Sequence, residues 1–249
     1  MAGYVKFIKY KLAFTMAEVL ITIGIIGLVA AMTFPTVINN ARNRQLEAQF
    51  KKAYSMLYQA VILMSNENPQ LWQNYCGDGQ YDSDYRFITD FSKQFKVLKL
   101  YDKNTGFLTT VGYKQTNFYR SENGKLNFNS DSHNNGAFVT TNGMIVFSSG
   151  CWWEHSLDFV VDTNGLKGPN KFGFDVFYFQ ISKNDQLLPS NMNETFTNYH
   201  SYNDYCCAFD GNIGKCIIRD NGAACSRFAI MDRFPGDETK SYWKNLPNP

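Results

Sequence analysis

Between Phe14 and Phe34 the chain reads FTMAEVLITIGIIGLVAAMTF, and Glu18 is the only ionisable side chain in that stretch. A helix rises about 1.5 Å per residue, so this stretch spans roughly 30 Å, the thickness of a bilayer's hydrocarbon core. A carboxylate inside such a span costs about 3 kcal/mol if it stays charged and alone. After Pro35 the character changes. The continuation TVINNARNRQLEAQFKKAYSMLYQAVILMSNENP puts Leu46, Phe50, Ala53, Tyr54, Leu57, Val61 and Met64 at helical spacing, with polar residues opposite. Asn66, Asn68 and Pro69 are stop signals. The pattern predicts one helix from about Phe14 to about Ser65, apolar all round in its first half and amphipathic in its second. Pro35 is expected to bend it, because proline removes a backbone donor and its ring crowds the preceding turn.

Lys6, Lys9 and Lys11 precede the apolar run with no acid among them, which predicts a cytoplasmic N-terminus. Arg42 and Arg44 on the far side reduce that asymmetry. Two simple readings of the segment are a secretory signal peptide, with Val29-Ala30-Ala31 as its small-residue cleavage site, and a plain membrane anchor. Neither accounts for Glu18 or for the amphipathic continuation. A third possibility for the acid alone is that it snorkels to the cytoplasmic interface.

The stretch KLAFTMAEVLITIGIIGLVAAMTFP resembles the processing signal of type IV pilins and type II secretion pseudopilins. The resemblance covers about the first fifty residues. It implies a basic leader, residues 1–13, removed by a membrane prepilin peptidase after a small residue. Here that residue is Ala13, where the family usually has Gly. It implies an N-methylated Phe14 as the mature N-terminus, and an assembly role for Glu18 and Pro35. In the family's accepted picture the acid meets the N-terminal amine of a neighbouring subunit. Such pairing neutralises two charges in a low-dielectric bundle, where either alone is expensive.

Residues 71–249 form the exported part, rich in aromatic residues, Asn, Gly and Asp. The whole chain is 18% charged and 16% aromatic, a composition that supports a folded core rather than disorder. Without the three leader lysines, 21 basic residues face 22 acidic ones, so no specific nucleic-acid partner is inferred. All six cysteines, Cys76, Cys151, Cys206, Cys207, Cys216 and Cys225, follow the apolar segment. An even number in an exported domain predicts up to three disulfides; free buried thiols are the alternative. A bond between the adjacent Cys206 and Cys207 is strained, so they are expected to pair outward, with Cys216 and Cys225, leaving Cys76 for Cys151. RFITDFSKQFKVL places Phe87, Phe91, Phe95 and Leu98 on one helical face. GAFVTTNGMIVFSS predicts a hairpin with a type I′ turn at Asn142-Gly143. SLDFVVDTNG and DVFYFQIS predict two further strands, and GAACSRFAIM a short helix.

VDTNGLKGPNKFGFDVF is dense in turn-forming residues. Asp162, Asn164 and Asp175 within it are also oxygen ligands of the kind calcium prefers, and some pseudopilins hold calcium in a loop of this region, so a calcium site and a metal-free turn both stand as readings. CWWEHSLDF brings Glu154, His155 and Asp158 close in sequence, but no hydrolase, metalloprotease or nucleotide-binding motif accompanies them. Enzymatic activity is not expected. Asn193-Glu194-Thr195 matches a glycosylation acceptor and is expected to be silent.

The expected fold is α+β: a long N-terminal helix, with a transmembrane and assembly half at 14–35 and an amphipathic half at 36–66, packed on a pilin-like antiparallel sheet domain. The expected function is that of a structural subunit polymerised into a type IV pilus or a type II secretion pseudopilus. Its partners would be other subunits, the prepilin peptidase and methyltransferase, and the membrane. The precursor would cross the bacterial inner membrane once, and the mature form would sit in an extracytoplasmic filament. The alternative is a single-span anchored or secreted extracytoplasmic binding protein.

Overall fold

The computed structural model describes residues 15–77, 84–102, 136–152, 156–189, 206, 208–209, 216–217 and 225–247. Helix α1, Met16–Glu67, carries both halves of the sequence pattern and continues through Pro35. The chain divides into two compact units, Met1–Arg42 and Asn43–Pro249. In the first unit Leu20, Ile21, Ile26, Met32 and Phe34 are all exposed. The division falls beyond Pro35: Val37 and Ile38 are still exposed, and burial starts at Asn43.

In the second unit the buried positions of α1 are Asn43, Leu46, Phe50, Ala53, Leu57, Ala60, Val61 and Met64. This is the predicted stripe with Asn43 and Ala60 added and Tyr54 partly covered. Phe50 is the centre of the contact. Its ring lies 4.5 Å from that of Phe177 and 5.2 Å from that of Trp243. Burying side chains of this size contributes roughly 1.5–3 kcal/mol each, which the stripe repeats along about five turns.

The sheet has six antiparallel strands in sequence order: β1 Val97–Tyr101, β2 Ala137–Thr140, β3 Ile145–Trp152, β4 Ser156–Asp162, β5 Val176–Ile181 and β6 Leu187–Pro189. Strands β7, Ala208–Phe209, and β8, Cys216–Ile217, pair separately. The large sheet is buried on both faces. Phe138, Val146, Phe159, Val161, Phe177 and Phe179 join the α1 core, while Phe147, Val160, Val176 and Tyr178 form a second cluster on the other side. Helices α2, Leu71–Cys76, α3, Asp84–Ser92, and α4, Cys225–Met231, add Leu71, Phe87, Phe91 and Phe228 to the first core.

Two local expectations need correction. Helix α3 ends at Ser92, where three successive i to i−3 bonds tighten the chain, the last from Phe95 N–H to Ser92 C=O at 3.1 Å. Phe95 still packs on Phe91 and Phe138, but Leu98 lies in β1 and is 71% exposed. The β2–β3 hairpin is present, but its loop is Thr141–Gly143. Thr140 N–H donates to Met144 C=O and Gly143 N–H to Thr140 C=O, both at 2.9 Å, and of the three loop residues only Gly143 has a positive φ, 89°. That is a type I turn followed by a left-handed residue, not a type I′ turn, which would need a positive φ at Asn142 as well.

Candidate functional site

Glu18 stands in the first turn of α1, and its surroundings are local. Thr15 N–H and Thr15 Oγ1 each donate to Glu18 Oε2 at 2.8 Å, and Glu18 N–H donates to Thr15 Oγ1 at 3.2 Å. This is a reciprocal capping box: the residue before the helix and the third residue inside it satisfy each other's orphan amides. The acid also lies at the positive end of the helix dipole. The acid at this spot therefore has a partner within the same chain. The signal was in the sequence, since Thr15-x-x-Glu18 preceding an apolar run is a helix-start pattern.

The rest of the segment is built for an apolar solvent. Two hydroxyls inside it fold back on the helix: Thr22 Oγ1 donates to Val19 C=O at 2.8 Å and Thr33 Oγ1 to Val29 C=O at 3.0 Å. Such bonds leave no side-chain donor facing hydrocarbon. Among the described residues α1 is the one helix long and apolar enough to cross a membrane. Ala13 and Phe14 lie outside the described residues.

Neither a family model, nor a curated protein, nor a solved structure matches this chain.

The other sequence candidates occupy the second unit. Cys76 is bonded to Cys151, tying α2 to β3, and Cys206 is bonded to Cys225 at the start of α4. Cys216 is in β8 and Cys207 lies outside the described residues, as do Glu154, His155 and the Asn193–Thr195 tripeptide.

Asp162 and Asp175 are both fully buried in the connection from β4 to β5. Asp162 Oδ1 accepts from Asn164 N–H at 3.0 Å and Gly165 N–H at 2.7 Å. Asp175 accepts from Asn170 N–H on Oδ2 and from Lys171 N–H on Oδ1, each at 2.8 Å. Burial pushes the Asp175 carboxyl up to about 6, against the lowering effect of those amide donors. As a calcium cage the set does not fit. Three of the four carboxylate oxygens face backbone amides, and among the described residues no third carboxylate or histidine converges on them. The two acids close a loop instead. Gly165 lets that loop touch the neighbouring hairpin: at φ 66°, a Cβ there would lie 2.5 Å from Gly143 C=O.

Sequence reasoning missed Asp185. In the β5–β6 turn it adopts φ 57°, and its carboxylate accepts from Gln70 N–H at 2.6 Å, Leu71 N–H at 2.7 Å and Ser65 Oγ at 3.3 Å. It caps α2 from a distant part of the chain and ties the end of α1 to the sheet. No local pattern could have shown this.

Proposed function

We propose that this chain is a pilin-like structural subunit, made as a membrane-spanning precursor and polymerised into an extracytoplasmic filament of the type IV pilus or type II secretion pseudopilus kind. The observation that carries the reading is the change of environment along one helix. Leu20, Ile21, Ile26, Met32 and Phe34 in the first unit are exposed apolar side chains, while from Asn43 the same helix is bound into a sheet domain by Leu46, Phe50, Leu57 and Val61. A helix built this way needs two successive environments for its free half, lipid before assembly and neighbouring subunits after it. The resemblance of residues 11–35 to the prepilin signal supplies the rest: removal of the leader after Ala13, methylation of Phe14, and Glu18 as the group that meets a neighbour's amine. The disulfides Cys76–Cys151 and Cys206–Cys225 agree with a domain that matures outside the cytoplasm.

The capping box favours a second reading in one respect. If Thr15 is partner enough for Glu18, a plain single-span anchor carrying an extracytoplasmic binding domain would need nothing more. Glutamine separates the two. Glu18→Gln keeps an oxygen that can accept from Thr15 N–H but removes the charge; Glu18→Ala removes both. For a filament subunit both variants should lose their leader normally and both should fail to assemble. Normal filament yield from Glu18→Gln would make the acid a cap alone and remove the assembly role.

A further inference from the structure

A polar cleft of about 180 Å³ opens in the second unit between the packed half of α1 and two loops of the sheet. Gln49 and Lys52 come from α1, Asn142 from the β2–β3 loop, and Thr163, Asn164 and Lys167 from the β4–β5 connection. The loops that frame it are fixed. Gly143 and Gly165 meet backbone to backbone, and the Asp162 carboxylate holds the amides of Asn164 and Gly165. The loop backbone along the cleft is therefore set by the fold, while the Lys52 and Lys167 side chains are exposed.

The lining is asymmetric in its hydrogen-bonding chemistry. Among the described residues it carries two ammonium groups and no carboxylate, and neither Lys52 nor Lys167 has an ion pair or a side-chain hydrogen bond there. The amide oxygens are largely used up. Gln49 Oε1 accepts from Asn164 Nδ2 at 3.4 Å, which leaves Gln49 Nε2 as a donor without an acceptor. Asn142 Oδ1 accepts from Thr140 Oγ1 and from Met144 N–H. Thr163 Oγ1 and Asn164 Oδ1 lie behind this surface, out of reach of anything in the cleft. Three donors that no described acceptor takes up, two of them positively charged, match a ligand that brings negative oxygens.

We propose that this cleft is a binding site for a small oxyanion, a phosphate or a carboxylate. Lys52 and Lys167 neutralise the anionic group, and Gln49 Nε2 directs it. Bonds from ammonium and amide donors to an anionic oxygen are the stronger kind. Phosphate and carboxylate share this chemistry, so the test includes both.

The full chain in detergent micelles is titrated calorimetrically with inorganic phosphate, glucuronate and glucose, each at constant ionic strength set with sodium chloride. Saturable binding of phosphate, of glucuronate, or of both is the expected result, with none for glucose. In the double variant Lys52→Met, Lys167→Met, affinity should fall about tenfold or more, the equivalent of one good charged contact. Lys244→Met removes one charge from an exposed site outside the cleft and should leave affinity within about twofold, as expected for a distant, independent position. Four outcomes overturn the proposal: no saturable binding of either anion, equal binding of glucose, undiminished binding by the double variant, or an equal loss in Lys244→Met. All three proteins should melt at similar temperatures without ligand, because the lysines make no contact that folding uses.

Discussion

Replacing Asp185 isolates one long-range cap. The side chain is the acceptor for two consecutive amides at the start of α2, at 2.6 and 2.7 Å, while the residue before the helix, Gln70, provides no side-chain cap of its own. Loss of such a cap costs about 0.5–2 kcal/mol. The backbone adds a second effect, because a non-glycine residue in the left-handed region costs roughly 1–2 kcal/mol, with Asp and Asn excused in part by their short polar side chains. Asp185→Gly should therefore lose the cap but not the turn, destabilising by about 1–2 kcal/mol. Asp185→Ala should lose both, about 2–3 kcal/mol. Asp185→Asn keeps one acceptor and the turn, so it should lose less than about 1 kcal/mol. Denaturant unfolding followed by tryptophan fluorescence reads this directly. Trp72 sits in α2 with the Lys183 ammonium 4.3 Å from its ring centre, so its emission reports on the capped element. If Asp185→Gly matches the parent, the carboxylate is not a cap; if Asp185→Ala matches Asp185→Gly, the positive φ carries no cost and the reasoning about the turn is wrong.

Phe50→Ala should destabilise the second unit by about 3–5 kcal/mol, the range for a fully buried aromatic side chain. Tyr58→Ala, on the outer side of the same helix, should change stability by less than about 0.5 kcal/mol, so equal effects in thermal melts would refute the packing described. Asp175 links stability to pH in a definite direction. Its folded-state pKa, about 6, lies above the ordinary 3.8, so between those values the folded protein holds the extra proton and stability falls as pH rises. Asp175→Asn should remove that part of the slope between about pH 4 and pH 6, and identical slopes in both proteins would contradict it.

How far these features were legible in the sequence depends on how local their causes are. The stripe on α1 from Leu46 to Met64 could be read because a helix turns a fixed spacing into one face. The strands β4 and β5 could be read because both are runs of β-branched and aromatic residues bounded by turn signals. The same periodicity misled at Leu98, where Phe87, Phe91 and Phe95 suggested that the helix went on. The tightening bonds after Ser92 depend on what the next strand pairs with, and a spacing does not carry that. At Asn142-Gly143 the dipeptide announced a hairpin but not the loop length, which the pairing of Thr140 with Met144 decides. The capping box at Thr15 and Glu18 was local and readable, yet the cost of a lone acid in an apolar run drew attention away from it. Asp162 and Asp175 carry the residue types of a cation site, and only the directions of the backbone amides around them assign them to loop closure. Asp185 and the cleft between Lys52 and Lys167 join segments more than a hundred residues apart, beyond the reach of any pattern in the chain.

The filament-subunit reading turns on how the precursor is processed, and the intact mass and N-terminal sequence of the mature protein from the native membrane or its appendages measure that directly. The expected result is a chain that begins at N-methylated Phe14, with residues 1–13 gone and Glu18 retained. A chain beginning at Met32, the product of an ordinary signal peptidase, or one that still carries its leader from Met1, would contradict it.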